Sequence, residues 1–363
     1  MRKIGVGIVG AGVRNPGWAS LAHVPAVNHL EEFTLQAVSA SSQESAEAAA
    51  AAHGAASAYP DARSLAEDPA VDLVVAAVRV TRHQEVVEAG LAAGKMVFSE
   101  WPLSGSPDDA ESLAAAAKSA GVRTVIGLQG RYVPEVRHAR ALIEDGYIGR
   151  PLATTMVASA LSWGGTTDSS HAYLFDAGNG VTTLSVTGMH ALESIVGALA
   201  EPSSLSALEI VGRPEVLVAD ESRTIPVTSP DQVALAGVLG DGVLLSAHFR
   251  GGSSRGQNFH WEINGTEGDL ILTAGPHGNV QSVELSLAGG RGGETTVAAI
   301  PLPTEYSEEP AAPLTNPARG VAELYARLAR DIREDTAETP GFEYALERHR
   351  LLAELEGGGF SNE

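Results

Sequence analysis

The sequence predicts an α/β domain followed by an α+β domain: an N-terminal doubly wound parallel sheet, then a predominantly antiparallel sheet. Three observations predict this. Residues 4–9 are a β-branched run that breaks into Gly10-Ala11-Gly12 and then into a helix-like segment. From there to Leu128 short apolar runs alternate with helix-length segments, as strands buried on both faces and joined by right-handed crossovers do. Beyond Pro151 the runs alternate apolar with polar, the pattern of strands with one solvated face. At 363 residues the chain exceeds one ordinary core, so domains 1–130 and 131–363 are expected, with the final helices free to pack back on the first.

The glycine turn organises the first domain. Gly10 permits the tight turn, and Gly12, lacking a Cβ, lets the backbone approach a pyrophosphate resting at the N-terminus of the next helix. A third glycine belongs at position 15, where this chain has Asn15; Gly17 follows two residues later, so the turn is extended. Alone, the stretch reads either as a dinucleotide site or as a structural turn. Trp18 to Leu30 supplies a helix and Phe33 to Ser39 a second strand, completing β-α-β. Where NAD-specific domains carry an acidic residue to hold the ribose, this chain has Ser39-Ala40-Ser41-Ser42-Gln43. Ser41 and Ser42 leave room for a 2′-phosphate, which tilts the expectation slightly towards NADP over NAD; no arginine follows to clamp it.

Next come an alanine-rich helix from Ser45 to His53, a short strand or loop and a small helix within Tyr59 to Pro69, and a buried strand within Asp72 to Val78. A helix in Thr81 to Gly94, a strand at Met96 to Phe98, a helix from Pro107 to Ala120 and a strand at Thr124 to Leu128 close the sheet. His83, near a helix start, reads either as a cap and packing residue or as a cofactor contact. In the second domain, Tyr132 to Asp145 is a helix with Gly146 as its C-cap. Strands are expected at Leu152 to Trp163, Ser206 to Val211, Gln232 to Leu239, Val243 to Phe249, Phe259 to Ile263, Asp269 to Leu272 and Val283 to Leu287. Tyr173 to Leu199 is a loop and then a helix, Asn316 to Asp335 an amphipathic helix and Phe342 to Leu355 the last one.

Composition narrows the function. With Asp+Glu at 45 against Lys+Arg at 24, the net charge of -21 repels phosphate backbones and anionic membranes, so neither nucleic acid nor a membrane is an expected partner. The absence of cysteine removes disulfides, thiolate nucleophiles and Cys-ligated zinc, and no His or carboxylate cluster has metal spacing. No run approaches a membrane span and the first strand starts without a signal-peptide core, so a cytoplasmic protein is expected.

Together these residues resemble the glucose-fructose oxidoreductase, inositol dehydrogenase and rhizopine-catabolism (Gfo/Idh/MocA) family of NAD(P)-dependent sugar and polyol oxidoreductases. The resemblance rests on the glycine turn, His83 after the fourth-strand run, Ala93-Gly94-Lys95, the Ser99-Glu100-Trp101-Pro102-Leu103 signature, Gly146-Tyr147-Ile148-Gly149, His190 on a helix, and Gly265-Thr266-Glu267-Gly268. It implies a Rossmann domain that contacts the cofactor through Gly10, Gly12, Val13, Arg14, Asn15, Ser41, Ser42, Val78, Val80, His83, Glu100, Trp101 and Gln129. It implies His190 as proton carrier, with a buried structural histidine as the other reading. Asp176 and Tyr173 would orient it or the substrate, unless Asp176 simply caps a turn. Trp101, Arg131, Trp163, Asn179 and Thr187 would meet a sugar-like substrate, with burial or surface solvation the other reading of Arg131 and Trp163. The family also implies a homodimer or homotetramer through the C-terminal sheet.

Two departures matter. The family's Glu-Lys-Pro lysine is Trp101, and the aspartate one helical turn before its catalytic histidine is Val186. The site therefore lacks a cation for an alkoxide and a carboxylate to raise the imidazole's basicity, each worth on the order of 3 kcal/mol. Leu128-Gln129-Gly130-Arg131 and Asp176-Ala177-Gly178-Asn179-Gly180-Val181 resemble the branch containing the fungal galactose-regulon repressor. The expectation is thus an oxidoreductase with a non-standard site, and the alternative a catalytically weak dinucleotide- or sugar-sensing regulator.

Overall fold

The computed structural model describes residues 2–14, 16–275, 278–307, 309–358 and 360–361; Asn15, an expected cofactor contact, lies outside them. Its contacts divide the chain into two compact units. One holds the chain through Leu128 together with Glu309–His349, the other the chain from Gln129 together with the stretch from Arg350 onward.

The first unit is built on a six-stranded parallel sheet: β1 (Ile4–Val9), β2 (Phe33–Ser39), β3 (Ser57–Tyr59), β4 (Leu73–Ala76), β5 (Met96–Glu100) and β6 (Thr124–Gly127). The strand order is β3-β2-β1-β4-β5-β6, so the order reverses beside β1, which is where open α/β sheets hold ligands outside the carboxyl ends of their strands. Val74, Val75, Val97 and Phe98 are fully buried, as strands covered on both faces must be. Between strands run α1 (Val24–His29), entered through a π-helical turn at Ala19–His23, then α2 (Gln43–His53), α3 (Ala62–Ala66), α4 (His83–Ala92) and α5 (Pro107–Ala120). Three start on side-chain caps: Ser42, Asp61 and Ser106 accept from the backbone N–H groups of Ser45, Ser64 and Asp109. Left-handed Gly54 and Gly121 close α2 and α5. The expected strand at Asp72 to Val78 stops at Ala76, because the chain turns there to pass Gly10.

The second unit opens with a short 3₁₀ turn at Gln129–Tyr132, so the helix expected from Tyr132 begins at Pro134 as α6 (Pro134–Glu144). Its large sheet contains β7 (Pro151–Ala160), β9 (Pro202–Ile210), β12 (Gln232–Leu239), β13 (Val243–Gly251), β14 (Phe259–Gly265), β15 (Gly268–Ala274), β16 (Leu285–Arg291), β17 (Ala298–Ala299) and β18 (Phe360–Ser361). The order is β17-β16-β15-β14-β7-β13-β12-β9-β18, antiparallel except between β7 and β13. Register explains the alternation seen in the sequence. Leu235, Ala247, Met156, Trp261, Leu272 and Leu287 line up across six strands and are all buried. Trp261 meets the cost of burying its indole by donating to Thr154 Oγ1 at 2.8 Å.

A small sheet of β8 (Thr166–Thr167), β10 (Glu215–Val218) and β11 (Arg223–Pro226) was not expected. Its strands are two to four residues long and carry little periodicity. Between β8 and β9, α7 (Met189–Ala198) continues from a π-helical turn at Leu184–Gly188. The two glycine motifs of this unit meet: Glu267 N–H donates to the Ile148 carbonyl, and Arg150 N–H to Thr266 Oγ1. Of the remaining helices, α8 is Thr304–Ser307, α9 is Ala318–Glu334 and α10 is Phe342–Glu356. Among the described residues no helix is long and apolar enough to cross a membrane.

Candidate functional site

The glycine turn fits a dinucleotide phosphate on two observations. Gly10 adopts φ +106°, and a Cβ there would lie 2.4 Å from the Ala77 carbonyl oxygen, so only glycine turns this tightly against the end of β4. At Gly12 the Cβ direction meets nothing within 4 Å, leaving the open approach that a pyrophosphate needs. The carbonyls of the turn are tied back: His53 Nε2–H donates to Ala11 at 3.1 Å, and the Ser20 hydroxyl to Gly12 at 3.3 Å. Because a trans peptide points its N–H opposite to its C=O, the N–H groups of Gly12 and Val13 face away from these anchors. Arg14 reaches Glu44 at 4.0 Å, in the first turn of α2. Ser41 and Ser42 are exposed at the tip of β2, with Ser42 also capping α2.

Along the carboxyl rim of the same sheet, Val78 packs against Gly10 and Val80 is buried. His83 is a staple: Nδ1 lies 2.8 Å from the Pro102 carbonyl oxygen and Nε2 3.0 Å from that of Val78. Burial pushes its pKa down. Both ring nitrogens are thus turned to the backbone. Glu100, the last residue of β5, accepts from His23 Nε2 at 2.9 Å, and His23 Nδ1 lies 2.9 Å from the Tyr325 hydroxyl. Burial, and then the charge of Glu100, raise the Tyr325 pKa well above its usual value, so the phenol keeps its proton. Trp101 is only 5 % exposed, its ring 4.6 Å from that of His349. It is a packed indole.

In the second unit, His190 is the second residue of α7 and 3 % exposed. Beside it lies the turn Gln129–Tyr132: a Cβ on Gly130 would stand 2.6 Å from the His190 carbonyl oxygen and 2.4 Å from Ser194 Oγ. That close approach fixes the neighbouring Arg131, whose Nε and Nη2 donate to Glu193 Oε2 at 3.0 and 2.6 Å. Glu193 is fully buried and three residues past His190, the spacing at which helical side chains are neighbours. Burying a carboxylate so completely costs several kcal/mol unless a cation offsets it, so Arg131 and Glu193 act as a unit. Gln129 is fully buried. Thr187 donates to Asn279 Oδ1 at 3.1 Å.

The loop expected to read substrate hydroxyls is largely occupied with its own structure. Trp163 is buried and its indole N–H donates to the Leu174 carbonyl and to Ser229. Asn179 donates to the Tyr173 carbonyl at 3.0 Å. Asp176 is exposed and accepts from Gly178 N–H and the Thr228 hydroxyl, so of its two readings the turn cap is the one formed. Trp163 is thus held within the loop by its own indole N–H, and Asp176 caps the turn that follows it. Sequence reasoning missed His23, Tyr325 and Glu193. Glu193 had a local signal, the i+3 spacing from His190; His23 and Tyr325, 302 residues apart, had none.

Two family models match. Residues 4–128 match the oxidoreductase family with an NAD-binding Rossmann fold, and residues 134–274 the Gal80p C-terminal domain. The dehydrogenase aclE of Aspergillus oryzae is 32% identical over 75% of this chain and 77% of its own length. The galactose/lactose metabolism regulatory protein GAL80 of Saccharomyces cerevisiae is 33% identical over 74% of this chain, which spans 66% of that protein's length. A crystal structure of a super-repressor mutant of Gal80p from the same yeast superimposes with a TM-score of 0.85 at 26% identity, covering 99% of this chain and 98% of that one. The glycine turn, the strand order and both halves of the chain thus agree: the chain belongs to the Gfo/Idh/MocA oxidoreductase family with an NAD-binding Rossmann fold, in its Gal80-like branch.

Proposed function

We propose that the protein is an NAD(P)-dependent oxidoreductase acting on a sugar, polyol or related hydroxyl compound, with His190 as proton carrier. One observation carries the reading: His190 is retained on α7 beside an arginine fixed by a buried carboxylate, Arg131 on Glu193. The dinucleotide supplies the hydride acceptor or donor at its nicotinamide ring. The Gly12 and Val13 N–H groups hold its phosphates, and the His190 imidazole takes or returns the hydroxyl proton. Arg131 and Glu193 hold the helix surface beside His190 rigid.

Purified protein assayed with NADH and NADPH across aldoses, inositols and lactones tests this. Sustained turnover is expected, falling on the order of a hundredfold or more in His190→Ala while dinucleotide binding is kept. Tight binding without turnover beyond a few equivalents would overturn the enzyme reading. The second reading, a sensor that regulates a partner protein, is favoured by Trp101 and Val186, which remove a cation and a carboxylate, and by the likeness to GAL80.

For the cofactor, NADP is proposed slightly ahead of NAD: Arg14 reaches the first turn of α2 beside the two exposed serines. Arg14→Ala should weaken NADPH about threefold, the modest effect of an exposed ion pair, and leave NADH unchanged. Self-association into a homodimer or homotetramer is proposed through the exposed face of the large sheet.

A further inference from the structure

We infer that Tyr325, His23 and Glu100 form a buried relay that positions the Glu100 carboxylate for the nicotinamide-ribose half of a bound dinucleotide. This rests on the dinucleotide reading above and adds two positioning residues to it. The direction of each hydrogen bond follows from chemistry. A carboxylate oxygen accepts, so His23 Nε2 donates to Glu100 Oε1 at 2.9 Å. The Tyr325 phenol keeps its proton and donates to Nδ1 at 2.9 Å. The chain runs Tyr325 O–H to His23 to Glu100, the logic by which a hydroxyl, an imidazole and a carboxylate fix one tautomer.

Burial marks which end of the chain is the working one. His23 and Tyr325 are both fully buried, whereas the Glu100 side chain keeps 12% of its surface open. Tyr325 is clamped by the rings of Phe33, Phe98 and His23 at centroid distances of 5.1, 5.2 and 5.8 Å. Glu100 terminates β5 and lies against Gly127 at the end of β6, where a Cβ would stand 2.5 to 2.7 Å from the carboxylate atoms. Space for this carboxylate is therefore kept by a glycine in the next strand. In a sheet of order 3-2-1-4-5-6 the dinucleotide crosses the carboxyl ends of the strands at the reversal. With the phosphates at Gly10 and Gly12 after β1, one nucleoside lies over β2 and the other over β4 and β5. A carboxylate at the end of β5 is then the acceptor that ribose hydroxyls require, and Tyr325, brought back by α9, sets its angle.

Titration of the intact protein with NADH, and separately with ADP, which lacks the second ribose and the nicotinamide, tests the relay. Tyr325→Phe removes one hydroxyl and keeps the ring. It should weaken NADH about fivefold, the scale of one neutral hydrogen bond, and leave ADP unchanged. Glu100→Gln should weaken NADH by itself and abolish the further effect of Tyr325→Phe, because the two act through one chain. If Tyr325→Phe weakens NADH and ADP alike, or adds to Glu100→Gln independently, the contact is only packing and the relay falls. As a measurement that needs no variant, ¹⁵N-histidine NMR of the native chain should find His23 protonated at Nε2 with Nδ1 accepting, shifted by NADH and not by ADP. A His23 signal blind to NADH overturns the relay. A native chain that binds neither NADH nor NADPH fails the dinucleotide reading itself, whereas one that binds with Tyr325→Phe silent fails only the relay.

Discussion

Gly10 and Gly12 sit two residues apart and are glycines for opposite reasons. At Gly10 the positive φ and the Ala77 carbonyl at 2.4 Å exclude any side chain, so Gly10→Ala should destabilise the fold by about 2 kcal/mol. At Gly12 there is nothing to strike. Gly12→Ala should leave the melting temperature within a degree or two while weakening NADH about tenfold or more, because the methyl occupies the phosphate approach. Thermal melts and NADH titration of both variants separate the two roles; a Gly12→Ala chain with unchanged affinity would remove the phosphate from that turn. Residues of this kind were legible in the sequence because their constraint is local: a strand, a turn, a helix. Trp101 was legible as an aromatic residue of the site region but not as a buried one, since its burial depends on a distant partner, His349.

At the scale of elements, the C-terminal helices carry two acid-sensitive fixtures. Asp331, near the end of α9, accepts from Thr336 and Thr339 hydroxyls and from the N–H groups of Glu338 and Thr339, pinning the connection to α10. Burial pushes its pKa up, but these hydrogen bonds outweigh it and bring the pKa down to about 2. His349, on α10 against Trp101, is pushed down by burial to about 4. The signs agree. In each case the unfolded chain binds the proton first, so stability is full above the unfolded pKa and is lost as pH falls towards the folded one. His349 acts between pH 6.5 and about 4 and Asp331 between pH 3.8 and about 2, worth about 3 and about 2 kcal/mol respectively. Denaturant midpoints should therefore fall as pH drops from 6.5 to 4, and His349→Phe should flatten that limb while Asp331→Asn lowers stability at pH 7. A native midpoint flat between pH 6.5 and 4 would contradict the burial of a neutral His349. Helices and long strands here were legible from caps and period. The hairpin β10 and β11 was not, because four-residue strands offer too few turns of pattern to distinguish them from loop.

At the scale of the whole molecule, the large sheet carries, among the described residues, a run of exposed side chains on one face. Leu208, Ala234, His248, Val157 and His260 run across it in register, and Leu208, Ile210 and Leu244 are 65%, 53% and 58% exposed. Ser206, Ala236, Ser246 and Thr155 form the adjacent row on β9, β12, β13 and β7, and Glu262 continues it on β14. Such a face is costly to leave in water, and under the proposed self-association a second copy would present the identical surface across a twofold axis. The net charge of -21 opposes this, since each copy repels the other through solvent; salt screens that repulsion and leaves apolar burial intact. Association should therefore tighten as ionic strength rises, the reverse of an interface held by ion pairs. Sedimentation velocity from low to high salt should follow a shift from smaller to larger species, and Leu208→Glu with Leu244→Glu should hold the chain monomeric while sparing its melting transition. A chain that stays monomeric at every salt concentration, or a double variant that still associates, would move the interface off this face.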